Sequence, residues 1–170
     1  RVKDDLGLRF GDKERSPWSA PITIAFTEQV IADPSNLRIT ELNYNPYGVR
    51  LGQSDVNADT FEFIELMNVG AEPIDLAGVQ FVRGVTFTFA SQILQPGERI
   101  VVVEDVDAFR SRYGNTVRIG VGNDGQGSGN GEYGGKLDNG GEAVKLVDRS
   151  GRTIQQFRYD DLPPWNSRAD

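Results

Sequence analysis

Short strand-like runs, each stopped within a few residues by glycine, proline or asparagine, constrain this chain more than any other feature. Leu37-Arg-Ile-Thr-Glu-Leu-Asn-Tyr-Asn-Pro46 is rich in β-branched and aromatic residues and closes on Asn and Pro. Phe61-Glu-Phe-Ile-Glu-Leu-Met-Asn-Val-Gly70 repeats the pattern, and Ile74-Asp-Leu-Ala-Gly78 follows after a tight turn. Strands are expected over 37–44, 61–68, 79–83, 86–90, 99–104, 117–121, 142–148 and 153–159. Gly70, Gly78, Pro96-Gly97, Asn139-Gly140-Gly141 and Ser150-Gly151 supply the turns between them. Regularly spaced short strands with frequent turns predict an all-β antiparallel sandwich or barrel. Only Val106–Tyr113 reads as a helix, with Asp105 and Asp107 placed to cap free amides at its start and Gly114 at its end.

Two local patterns refine this reading. Leu37 and Ile39 share one face of their strand, while Leu42 and Tyr44 share the other. The phase therefore slips near Glu41, and a β-bulge is the usual cause. Ile100, Val102 and Val101, Val103 are apolar on both faces, which suits a central strand covered on both sides.

Composition excludes several function classes. The chain has 170 residues and a net charge of -7, with a sequence pI of about 4.7. Arg110, Arg112, Arg149 and Arg152 are scattered among carboxylates, so no basic face is expected for nucleic acid or an anionic membrane surface. No apolar run approaches the roughly 20 residues a membrane-spanning helix needs. The absence of cysteine removes disulfides and thiolate metal sites. The absence of histidine removes Ser-His and Cys-His dyads and the usual zinc sites.

Residues 1–35 read differently from the rest. Leu6-Gly-Leu-Arg-Phe10 and Ile22-Thr-Ile-Ala-Phe26 are strand-like, and Asp33-Pro34-Ser35-Asn36 reads as a linker. Two strands alone are marginally stable. This segment resembles the terminal hairpin of a preceding fibronectin-like or chitobiase-like module, or an arm packing on the main domain over 36–170. The chain starts at Arg1 without an initiator Met, which suggests a piece of a longer polypeptide.

The order of further segments carries a family resemblance. Leu94-Gln-Pro-Gly-Glu-Arg-Ile-Val-Val-Val103 is a turn feeding a buried strand, and Ala108-Phe-Arg-Ser-Arg-Tyr-Gly114 is a short helix. Leu137-Asp-Asn-Gly-Gly-Glu-Ala-Val-Lys-Leu-Val-Asp-Arg-Ser-Gly151 is a strand between two glycine turns, followed by Phe157-Arg-Tyr-Asp-Asp161 and Pro164-Trp165. With the opening strands, this phrasing resembles bacterial lamin-tail domains through most of 36–165. The resemblance implies an immunoglobulin-like antiparallel β-sandwich with one short helix. It also implies a non-catalytic structural or interaction module, accessory or adhesive, in a larger exported bacterial protein, outside the cell or on its surface. The family offers no catalytic motif to carry over. Expected partners are other domains of the same polypeptide, and a protein or cell-surface glycan, with no nucleic acid and no membrane insertion.

An alternative reading is a calcium- or carbohydrate-binding module. Asp55-Val-Asn-Ala-Asp59 has the alternating oxygen ligands that open calcium loops. Asp55, Asn57, Asp59 and Glu62 are the candidate metal ligands, with Glu41, Asp160 or Asp161 as further contributors. The match departs where Thr60 stands in place of Gly and Leu66 in place of a bidentate Glu, which favours an ordinary solvated loop. No cofactor other than calcium is suggested. The glycine-rich run over 120–135 lacks a following Gly-Lys-Ser/Thr and reads as a flexible surface connection. Long loops carry contacts, so Asn123, Asp124 and Tyr133 are candidate binding residues, together with Trp165. Adjacent Asp160 and Asp161 point to opposite faces of a strand and do not flank one glycosidic bond. Trp18, Trp165, Tyr44 and Tyr47 form a candidate sugar platform, with core or rim packing the favoured reading.

Overall fold

The structure is a computed structural model that describes residues 29–51, 54–125 and 130–162. Thirteen short strands and one helix succeed one another in it. They are β1 Val30–Ile31, β2 Leu37–Asn43, β3 Val49–Leu51, β4 Ser54–Val56, β5 Phe63–Asn68, β6 Ile74–Asp75, β7 Gln80–Arg83, β8 Phe87–Phe89, β9 Ile93–Leu94, β10 Arg99–Val103, α1 Val106–Tyr113, β11 Gly122–Asn123, β12 Ala143–Val147 and β13 Thr153–Arg158. A 3-10 turn, Ala58–Phe61, precedes β5.

Two antiparallel sheets form the sandwich, one ordered β10-β5-β2 and the other β11-β8-β7-β12-β13. Their inward side chains meet in one core. Leu37, Ile39, Ile64, Leu66, Ile100 and Val102 come from the first sheet. Phe81, Phe87, Phe89, Val144 and Leu146 come from the second. A small sheet, β1-β6-β9, closes one end; in it β1 runs parallel to β6, and Ala32 just beyond β1 is buried in the core. Thus Val30–Ile31, N-terminal to the boundary expected at residue 36, pair within this architecture. The strand-like segments expected before residue 29 lie outside the described residues.

Most expected strands appear within a residue or two of their anticipated limits, and the helix occupies Val106–Tyr113 as read from its caps. Asp105 accepts a hydrogen bond from the Ala108 amide at 2.8 Å, and Gly114 takes a φ of 80° at the other end. The bulge near Glu41 is present: pairing passes from Ile39 opposite Leu66 to Glu41 opposite Glu65, leaving Thr40 as the extra residue. The segment 117–121 differs. It makes a single bridge, Ile119 to Val101, instead of a strand. Strands β1, β3, β4, β6, β9 and β11 were not anticipated, because runs of two or three residues carry too little alternation to read.

Strand β10 is covered on both faces, as its all-apolar composition suggests. Ile100 and Val102 enter the main core, while Val101 and Val103 join Phe63 and Phe109 beneath α1. Helix α1 is held by an aromatic group in which Phe63 meets Phe109 and Tyr113 edge-on, at ring separations of 5.5 and 5.4 Å. In the sheet order β10 is terminal rather than central. Its outer edge is nonetheless occupied, because Val101 and Val103 exchange backbone hydrogen bonds with Arg118, Gly120, Gly131 and Tyr133 at 2.8–3.2 Å.

Arg118 leads into the glycine-rich run and the other three belong to it, so the described parts of the run are pinned rather than slack. The run crosses from the edge of β10 to the opposite sheet, where β11 pairs with β8 and Gly134 bridges Thr86. Here glycine is needed for close approach. A Cβ at Gly122 would stand 2.3 Å from the Thr88 carbonyl oxygen, and one at Gly131 would stand 2.4 Å from Ile119 Cγ2. Gly131 also has a φ of 99°. Composition signals flexibility, but what this segment uses is the missing side chain.

Gly131→Ala should therefore destabilise the domain by about 2–4 kcal/mol, the sum of overpacking and backbone strain. Gly97→Ala, at a φ of 74° but with open space around it, should cost only about 1 kcal/mol. Urea unfolding of both variants checks this, and equal losses would contradict it.

Candidate functional site

Glu62 lies at the junction of the 3-10 turn and β5, and the local sequence dictates its direction. Phe63 packs outward under α1, while Ile64 points into the main core. Alternation along an extended chain therefore sends Glu62 inward with Ile64. The backbone is fixed as well: the Glu62 amide donates to Asp59 at 2.9 Å and its carbonyl accepts from the Glu104 amide at 3.1 Å.

The carboxyl group of Glu62 is fully buried. Its Oε2 accepts from the Tyr133 hydroxyl at 3.1 Å and from the Leu137 amide at 2.9 Å. Oε1 has no hydrogen-bond partner among the described residues. Burial raises the carboxyl pKa to about 7; the two donors counteract this, and the nearby Asp59 and Glu104 charges add to the rise. The same environment pushes the Tyr133 hydroxyl well above its ordinary value, through burial first and the Glu62 charge second. Glu104 is also raised, by burial and then by Asp105, Glu132 and Asp59. Chemically, this is a proton-linked tie between the root of β5 and the far side of the glycine-rich run.

The other candidate metal ligands are turned to different tasks. Asn57 caps the 3-10 turn, accepting from the Asp59 amide at 3.2 Å through its side chain. Asp59 faces Lys136, with Oδ2 3.6 Å from Nζ. The Asp55 side chain lies outside the described residues. Among the described residues no three acidic, histidine or cysteine side chains are grouped to hold a metal ion. Glu41, raised by burial and by Glu65 opposite it, is on the exposed bulge of β2.

The loop candidates separate in the same way. Asn123 is exposed on β11 and accepts from the Gly125 amide at 3.0 Å. Asp124 is half-buried against Gly134. Tyr133, expected on the loop surface, is only 4% exposed and belongs to the core, because its ring fills the interior and its hydroxyl reaches Glu62. Trp165 and Trp18 lie outside the described residues. Tyr44 is core as well, its ring centroid 4.6 Å from that of Tyr159, whereas Tyr47 is exposed. Asp160 accepts from the Leu162 amide at 3.1 Å, a turn-forming contact, and Asp161 is exposed.

Sequence reading identified Glu62 as an acid and missed its direction. The usable signal was its place between Phe61 and Phe63, an acid inside a run of large apolar residues. Asn68 was missed entirely. It is fully buried, donating to the Glu72 and Leu94 carbonyls at 2.8 and 2.9 Å and accepting from the Gly70 amide at 2.8 Å. Asp148 likewise gathers Ser150 and Arg152 around one turn, and the Ser150 hydroxyl bond chiefly holds its carboxyl down at about 2.

A raised carboxyl pKa means that the folded state holds the proton more tightly than the unfolded state, whose value is 4.5. Stability from this group is fully present below pH 4.5 and is lost as pH rises to about 7. The loss should approach about 3 kcal/mol. Glu62→Gln should flatten that slope in urea titrations between pH 4.5 and pH 8. An unchanged slope in the variant would assign the pH dependence elsewhere.

The family model for the lamin tail domain matches residues 31–161. No curated protein sequence and no solved structure is significantly similar to the chain. The matched span runs from β1 through both sheets, α1 and the glycine-rich crossing to the turn after β13. By its immunoglobulin-like two-sheet frame and this match over most of its length, the chain belongs to the lamin tail domain family.

Proposed function

We propose that this chain is a non-catalytic structural and interaction module, accessory or adhesive, within a larger exported bacterial protein. One observation carries the reading. The buried polar groups Glu62, Asn68 and Asp148 are engaged in joining strands and turns to one another. Such groups build a rigid frame on which loops and sheet edges are presented, and rigid frames lower the entropic cost of binding. Membership of an immunoglobulin-like domain family supports the same role. The partners fitting this role are neighbouring domains of the same polypeptide and a protein or glycan at the cell surface, and the place is outside the cell.

Two measurements test this. An antibody against the chain should find the parent protein in the culture medium or cell envelope of the source bacterium. The 170-residue chain should leave model glycosides, phosphodiesters and peptides intact with calcium or magnesium present. Confinement to the cytoplasm would contradict export, and turnover lost on substitution of one side chain would contradict the non-catalytic assignment.

A further inference from the structure

Strand β13 ends the five-stranded sheet; among the described residues no second strand is hydrogen-bonded to its outer side, and β2 touches it through the Ile39 amide, which donates to the Gln155 side chain at 2.9 Å. The Tyr159 amide donates to the Glu142 carbonyl at 3.0 Å, and Phe157 stands opposite Val144. In an antiparallel ladder the hydrogen-bonded positions alternate, so Tyr159 and Phe157 direct their backbone groups toward β12. Gln156 and Arg158 then direct theirs away from it. Both residues are exposed, and in this register neither backbone amide is directed at β12.

The same register collects positive charge beside this edge. Lys145 stands opposite Gln156 on one side and Arg83 on the other, while Arg158 stands opposite Ala143, one diagonal step from Lys145. These positions share the outer face of the sheet, since Val144, Leu146 and Phe81 occupy the inner one. The ion pairs among the described residues involve Arg99, Arg118, Lys136 and Arg152, so none engages Arg83, Lys145 or Arg158. Like charges directly opposite each other, as at Lys145 and Arg83, cost stability. Three cations with no ion pair among the described residues thus share one sheet face of a chain whose net charge is -7, and Arg158 donates to the Gly141 carbonyl at 3.2 Å.

We infer that the outer edge of β13 at Gln156 and Arg158 takes an extended acidic peptide as an added strand, with its carboxylates facing Arg158 and Lys145. The inference rests on reading the chain as an interaction module and names the surface and the partner's chemistry. Backbone hydrogen bonds to Gln156 and Arg158 supply affinity, and alternate side chains of the peptide, all on one face, supply charge recognition. A second copy of the same edge is a poorer occupant, because it would bring Arg158 and Lys145 against their own kind. The overall negative charge does not prevent approach, since exposed charges beyond about 8 Å are screened at physiological ionic strength.

The test titrates the isotope-labelled 170-residue chain with a seven-residue probe, Thr-Glu-Val-Glu-Val-Glu-Thr, and follows backbone amide resonances. Two control probes carry Lys in place of Glu, or Pro at alternate positions so that strand donors are lost. The acidic probe should shift the Gln156 and Arg158 amides, and both controls should leave them still. Arg158→Glu and Lys145→Glu should each weaken binding about tenfold while melting like the parent chain. Should either variant melt early, the two control probes decide alone. No shift at Gln156 and Arg158 up to about 5 mM probe, where even weak contacts register, would overturn the inference, as would equal binding of either control. Shifts confined to the Asn123 and Asp124 region would overturn the edge while leaving the interaction-module reading intact. Catalytic turnover would overturn that reading instead.

Discussion

The hydrogen bonds along the outer edge of β10 hold this sandwich together as one body. A terminal strand with apolar residues on both faces would expose a row of unpaired backbone groups beside a hydrophobic surface, a setting that invites aggregation. Here the two ends of the glycine-rich run bond to Val101 and Val103 and carry the chain across to β8. Behind this crossing, Glu62 accepts from Tyr133 and from the Leu137 amide, fixing the point where the run turns back toward β12. Each contact requires the others. Without glycine at 122 and 131 the crossing has no room, and without Tyr133 the Glu62 carboxyl would be a buried acid with one fewer donor.

On the other flank of the sandwich, closure is lighter. The Gln155 side chain accepts from the Ile39 amide at 2.9 Å, linking β13 to β2, and just beyond both strands the Tyr44 hydroxyl donates to the Asp160 carbonyl at 3.3 Å. The bulge at Thr40 twists β2 locally and keeps its surface irregular, and β12 carries irregularities toward both neighbours. Among the described residues the fold therefore has one flank closed by main-chain bonds and one flank where the outer edge of β13 has no paired strand. That asymmetry connects the architecture to its proposed role, since an interaction module needs a rigid side and an available side.

Much of the fold was legible in the sequence because the strong signals are local. The caps of α1, the bulge at Thr40 and the two-sided burial of β10 each follow from residues within one segment. The contacts of the site were not local. Glu62 lies 71 residues from Tyr133 and 75 from Leu137, and no spacing in a single sequence links them. An acid in a D-x-N-x-D neighbourhood reads as a surface ligand until alternation with Phe63 and Ile64 is fixed by the sheet. Glycine misled for a related reason: it marks both slack linkers and places where two backbones touch, and only the neighbours distinguish them.

The glycine-rich crossing is an integral part of the sandwich and opens only when the whole domain unfolds. Native-state amide hydrogen exchange tests it most directly, at the Val101, Val103, Gly120 and Tyr133 amides. Their opening free energies should equal those of Ile64 and Leu146 in the core strands and should fall with added denaturant at the slope of global unfolding. Exchange at these four sites through a low-energy, denaturant-independent opening, while Ile64 and Leu146 stay protected, would contradict it.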